Sequence, residues 1–103
     1  FEFNKRGGVG IISVTANIAP KLCSDMQKYS KSKSDKELKE AERIDQILQP
    51  LHKSLFIESN PSPVKYAASL LGLCSSEARL PIVEIEEVSK SNVKDALVQA
   101  GLL

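Results

Sequence analysis

One histidine, two cysteines, two tyrosines, three phenylalanines and no tryptophan in 103 residues leave little material for several kinds of chemistry. A His-based zinc set or a Cys–His catalytic pair has only His52 to draw on. His52 itself reads as a polar helix residue beside Lys53. Cys23 and Cys74 stand far apart, without CxxC spacing and among apolar neighbours, so both are expected as buried, reduced thiols. No apolar run approaches the roughly 18 residues that span a bilayer, and Phe1-Glu2-Phe3-Asn4-Lys5-Arg6 has no apolar signal core. A cytoplasmic protein without a membrane partner is expected. Charge of one sign is lacking too: 14 basic and 13 acidic side chains leave a formal net charge of +1. No global field gathers nucleic acid, anionic lipid or an acidic partner.

What is present is the composition of at most one globular domain, with 42% hydrophobic and 26% charged residues. The chain opens without Met, and Phe1 to Arg6 followed by Gly7-Gly8 reads as the last turn of a helix closed by a left-handed glycine. Ile11-Ile12-Ser13-Val14 is β-branched and apolar at nearly every position, which predicts a strand buried on both faces, as in a parallel α/β sheet. A helix follows, with Pro20 near its first position and Leu22, Cys23, Met26 and Tyr29 on one face. Helix, strand, helix is a slice of repeating α/β architecture, so the strand needs a partner. Ile82-Val83-Glu84-Ile85 is the one alternative within the chain, and a sheet of two strands alone is marginal.

The rest is helical. Ser34-Asp35-Lys36-Glu37 matches the capping box and predicts a helix from Asp35, with Leu38, Ala41, Ile44, Ile47, Leu48, Leu51 and Leu55 as one apolar stripe. Pro50 removes an amide donor and crowds the carbonyl four residues back, so a kink or break is expected there. Glu58 to Pro63 is a turn, with Ser62 as N-cap and Pro63 opening a helix through Leu71 that Gly72 ends and Leu73 caps by an apolar contact. A last helix carries Val93, Ala96, Leu97 and Ala100 and closes at Gly101.

Few side chains qualify as sites. Gly7, Gly8 and Gly10 precede their strand, whereas a dinucleotide fingerprint follows one, so they are not a phosphate loop. Lys28, Lys31, Lys33, Lys36 and Lys39 lack an aromatic platform beyond Tyr29 and read as a solvated surface. Glu84, Glu86 and Glu87 have no metal spacing and read as a surface patch. Lys65 with Tyr66 offers a Schiff-base lysine and a proton shuttle in principle, yet nothing shows Lys65 desolvated, and a first-turn surface lysine is the plainer reading.

The stretches GGVGIISVTANIAP, LFIESNPSPVKYAASLLGL, ARLPIVEI and VKDALVQAGLL, in this order and ending at Gly101-Leu102-Leu103, resemble the C-terminal third of the dihydrodipicolinate synthase family, within the N-acetylneuraminate lyase superfamily. Asn60-Pro61-Ser62-Pro63-Val64-Lys65 resembles the synthase branch, and Glu84 departs from it where relatives often carry a proline. The resemblance implies an α/β fold: the last strand and helix of a (β/α)₈ barrel over residues 1–33, then a C-terminal helical domain over residues 34–103, mostly α within this stretch. It implies a Schiff-base pyruvate lyase that condenses pyruvate with aspartate semialdehyde in lysine and diaminopimelate biosynthesis, as a homotetramer without cofactor or metal. The nucleophilic lysine, the proton-relay tyrosine and threonine and the carboxylate-binding arginine of the family all fall outside this sequence. They do not map to Lys65, Tyr66, Tyr29 or Arg79. The position that carries over is Ile12, which the resemblance places against pyruvate through its backbone carbonyl. The chain alone is therefore expected to be inactive. The alternatives are a non-catalytic helical interaction module and a sibling pyruvate aldolase of the neuraminate lyase kind.

Overall fold

A computed structural model describes all residues, Phe1–Leu103. The elements run α1 (Glu2–Lys5), a 3₁₀ turn (Thr15–Asn17), α2 (Pro20–Ser30), α3 (Asp35–Leu55), α4 (Ser62–Leu70) and α5 (Glu87–Gln99). The long helix α3 is the spine: α2 packs along it, α5 packs on it further along, and α4 lies against α5.

The apolar periodicity explains this arrangement. On α3, Ala41, Ile44, Leu48, Leu51 and Leu55 are buried, and Leu38 and Ile47 are half-buried beside them. The stripe meets Cys23 and Met26 of α2, Val64 and Ala67 of α4, and Val93, Ala96 and Leu97 of α5 in one continuous core. Each fully buried leucine contributes about 1.5–3 kcal/mol through water exclusion, and Leu48, Leu51, Leu55 and Leu97 are all in that state. Helix α3 runs unbroken through Pro50. The missing hydrogen bond costs about 3 kcal/mol, and the buried leucines on either side offset it.

The helix ends follow their glycines. Gly7, Gly72 and Gly101 take φ of 93°, 73° and 73°. In each case the following residue donates to the carbonyl five positions back, as in Gly8 N–H to Phe3 O at 2.9 Å, Leu73 N–H to Ala68 O at 3.0 Å and Leu102 N–H to Leu97 O at 2.9 Å. The Leu73 side chain is exposed, so its expected apolar contact is absent although its amide closes the helix.

Two caps differ from expectation. Helix α3 starts at Asp35 after Ser34, but the capping box does not form. The Ser32 hydroxyl instead donates to the Glu37 carboxylate and accepts from the Ser34 amide at 3.0 Å, so it bridges the two groups that a capping box would join directly. Helix α4 begins at Ser62 with Pro61 as N-cap, because the Ser62 hydroxyl is drawn away to donate to Val83 O at 2.6 Å.

The expected strand is absent, and the alternative at Ile82 to Ile85, disfavoured from the sequence, is not a strand either. Ile11 to Ser13 and Ile82 to Ile85 are irregular, and Val14 already has helical dihedrals at φ −62° and ψ −42°. A strand exists only by pairing, and no backbone hydrogen bond within the chain engages Ile11, Ile12 or Ser13. The surface area tells the same story. A compact monomer of this mass exposes about 5,700 Å², and this chain exposes 6686 Å². Its radius of gyration of 14.6 Å and extents of 45 × 24 × 21 Å exceed the roughly 13 Å radius of a compact domain of this length.

Candidate functional site

The most exposed apolar side chains of the chain, Val9 and Ile12, stand in the Gly8–Val14 segment. Gly8 follows the closing turn of α1, where a Cβ would lie 2.2 Å from the Phe3 ring. The chain then runs out past Val9 and Ile11, which are 86% and 50% exposed, to Ile12, which is wholly exposed at 106%. This corrects the expectation of a strand buried on both faces: Val14 packs against the core, while Ile11 is half exposed and Ile12 is left uncovered within this chain.

Side chains hold the segment at its two ends. The Lys31 ammonium donates to Val9 O at 2.5 Å from the end of α2. Asn4, buried on α1, donates to Gln27 Oε1 at 2.8 Å and to Ser30 Oγ at 2.7 Å, so α1 is tied to α2 beneath the segment. At the other end the Ser13 hydroxyl accepts from Ala16 N–H at 3.2 Å, and Val14 O accepts from the Asn17 side chain at 3.0 Å. Thr15, 2% exposed, places its hydroxyl 2.6 Å from Nδ1 of His52 on α3.

This last contact is what sequence reasoning missed. His52 is not a solvated helix residue. It is half-buried, and burial holds its imidazole below the ordinary histidine range, opposed in part by the Asp45 carboxylate. A signal existed, because His52 lies four residues after Leu48 and so shares the buried stripe of α3. Its partner, 37 residues upstream, carried none.

The other candidates sit as follows. Cys23 is buried, and burial pushes its thiol up. Cys74 is exposed, contrary to expectation, because α4 ends at Leu70 and the chain after Gly72 runs over the surface. The lysines from Lys28 to Lys39 are all exposed. Glu84 and Glu87 flank the Lys90 ammonium at 3.6 and 2.9 Å, and the same ammonium stands 5.8 Å from the Tyr66 ring. Lys65 is half-exposed on α4. No group of three His, Cys, Asp or Glu side chains comes together as a metal set, and no helix is long and apolar enough to cross a membrane.

Comparison with known proteins places this geometry. The chain is 67% identical over 102 residues to the 4-hydroxy-tetrahydrodipicolinate synthase of Pelagibacter ubique, covering 99% of this chain and 35% of that protein. It is 50% identical over 101 residues to the synthase of Parvibaculum lavamentivorans, covering 98% and 34%. Among solved structures, dihydrodipicolinate synthase from Thermotoga maritima superposes with a TM-score of 0.91 at 36% identity, over 99% of this chain and 34% of that one. The chloride-inhibited, pyruvate-complexed enzyme from Acinetobacter baumannii superposes with a TM-score of 0.85 at 38% identity, over 94% and 32%. The chain thus spans about a third of the length of these relatives. The sequence model of the dihydrodipicolinate synthetase family matches residues 2–100, and the chain belongs to that family.

Proposed function

We propose that the chain is the C-terminal third of a Schiff-base pyruvate lyase that condenses pyruvate with aspartate semialdehyde to 4-hydroxy-tetrahydrodipicolinate, in lysine and diaminopimelate biosynthesis. In this reading Gly10 to Thr15 is the last strand of a (β/α)₈ barrel, residues 1–33 complete the barrel, and residues 34–103 are the appended helices. The strand pairs on both sides with barrel strands from the rest of the protein, and its C-terminal end faces the site, as in other barrels of this type. Ile12 lends its backbone carbonyl to the pyruvate pocket while its side chain fills the barrel core. The whole protein is cytoplasmic and homotetrameric, and the stretch described here is inactive by itself, because the nucleophilic lysine lies outside it.

One observation carries the reading: the most exposed apolar side chain, Ile12, lies in a segment without backbone partners, inside a family match that runs from residue 2 to residue 100. The pyruvate complex of the Acinetobacter baumannii relative supports pyruvate as a ligand of this family. The test is a steady-state assay of the full-length protein with both substrates, beside this chain alone. Condensation by the full-length protein and none by the chain are expected. A full-length protein that does not condense this pair, or prefers a different aldehyde, overturns the assignment.

A further inference from the structure

The Ile11–Ser13 backbone makes no hydrogen bond within the chain, so side chains decide where the segment ends. Two of those ties are local, from Ser13 to Ala16 and from Val14 to Asn17, and the exposed Lys31 ammonium holds Val9 O from the end of α2. The contact between Thr15 Oγ1 and His52 Nδ1 at 2.6 Å is different, since it fastens the segment to the helical spine across 37 residues. Thr15 is almost wholly buried, and its hydroxyl has no other hydrogen-bond partner. Its proton must go to an acceptor or be stranded away from water. The hydroxyl therefore donates, Nδ1 accepts, and the ring proton sits on Nε2. Helix α3 holds the ring in place through its buried neighbours Leu48, Leu51 and Leu55.

We infer that His52 is a positioning residue for the pyruvate site, acting through Thr15 to set the register of the strand that presents the Ile12 carbonyl. The inference rests on the function proposed above. Only Ser13 and the helical Val14 lie between Ile12 and Thr15, so a shift at Thr15 passes along a short stretch of backbone to the carbonyl. Misplacement of a binding group by about 1 Å is enough to weaken a site many-fold. Removing the acceptor would drive such a shift, because the buried Thr15 hydroxyl must then turn toward another partner.

The test compares His52→Leu, which keeps bulk and removes the acceptor, with His52→Asn, whose Oδ1 stands where Nδ1 does. Thr15→Val removes the donor without changing shape and serves if His52→Leu does not fold. Each is made in the full-length protein, with pyruvate KM and kcat measured separately. His52→Leu and Thr15→Val are expected to raise the pyruvate KM about tenfold with kcat within about twofold, and His52→Asn is expected to restore KM. A merely structural histidine would lower the yield of active enzyme, and so kcat, while leaving KM alone. Unchanged KM in His52→Leu and Thr15→Val, or equal loss in His52→Leu and His52→Asn, overturns the inference while the proposed function stands. Wild-type protein that does not turn over pyruvate overturns the proposed function and this inference together.

Discussion

Two apolar side chains of the same size, Leu48 and Ile12, should answer truncation in opposite ways, and the answer for Ile12 should depend on how much of the protein is present. Leu48, on α3, is 0% exposed within the helical core. Leu48→Ala removes a fully packed side chain and leaves a cavity, at a cost of about 2.7–5 kcal/mol. With a urea slope of roughly 1–3 kcal/mol per molar for a small domain, the unfolding midpoint drops by about 1 M or more. Ile12 is 106% exposed within this chain, so Ile12→Ala there changes stability by no more than about 0.5 kcal/mol. In the full-length protein the proposed barrel covers Ile12, and the same substitution then costs about 2–5 kcal/mol. Urea unfolding of the chain and of the full-length protein, each with both variants, measures the contrast. A loss above about 1.5 kcal/mol for Ile12→Ala in the chain, or none in the full-length protein, refutes the reasoning that this face is a barrel interior.

Other outcomes follow from the same structure. Gly72→Ala puts a Cβ on a residue at φ 73° in open space, so the cost is backbone strain alone, about 1 kcal/mol by thermal unfolding. Burial holds the His52 pKa below its unfolded value, so the unfolded state binds the proton first. The stability owed to neutral His52 is complete above the unfolded value of about 6.5 and is lost as pH falls below it toward the folded value. His52→Asn should flatten that part of the stability profile between mildly acidic and neutral pH. Breaking the exposed Lys21–Asp25 pair at 2.8 Å with Asp25→Asn should change the melting temperature by no more than the effect of about 0.5 kcal/mol.

The helices were legible because their information is local. Apolar spacing set the α3 stripe, Ser34 and Asp35 marked its start, and Gly72 and Gly101 marked two ends. Pro50 misled because its cost is local while the burial of Leu48, Leu51 and Leu55 that outweighs it is tertiary. The capping box failed for a similar reason, since Ser32 offered Glu37 a nearer partner than the Ser34 amide. The strand was legible as an apolar β-branched run and yet is absent here, because a ladder is a property of two segments. Of the site, Ile12 came from resemblance to a family, and the Thr15–His52 contact joins residues whose spacing gives no sign of it.

In the proposed function this chain shapes a pyruvate site whose nucleophile lies elsewhere in the protein. Borohydride reduction in the presence of pyruvate, followed by intact-mass and peptide mapping, tests it directly. A stable pyruvate adduct is expected on the full-length protein at a lysine outside this sequence, and none on the chain alone. An adduct on Lys65 or any other lysine of this chain, or no adduct on the full-length protein, would contradict it.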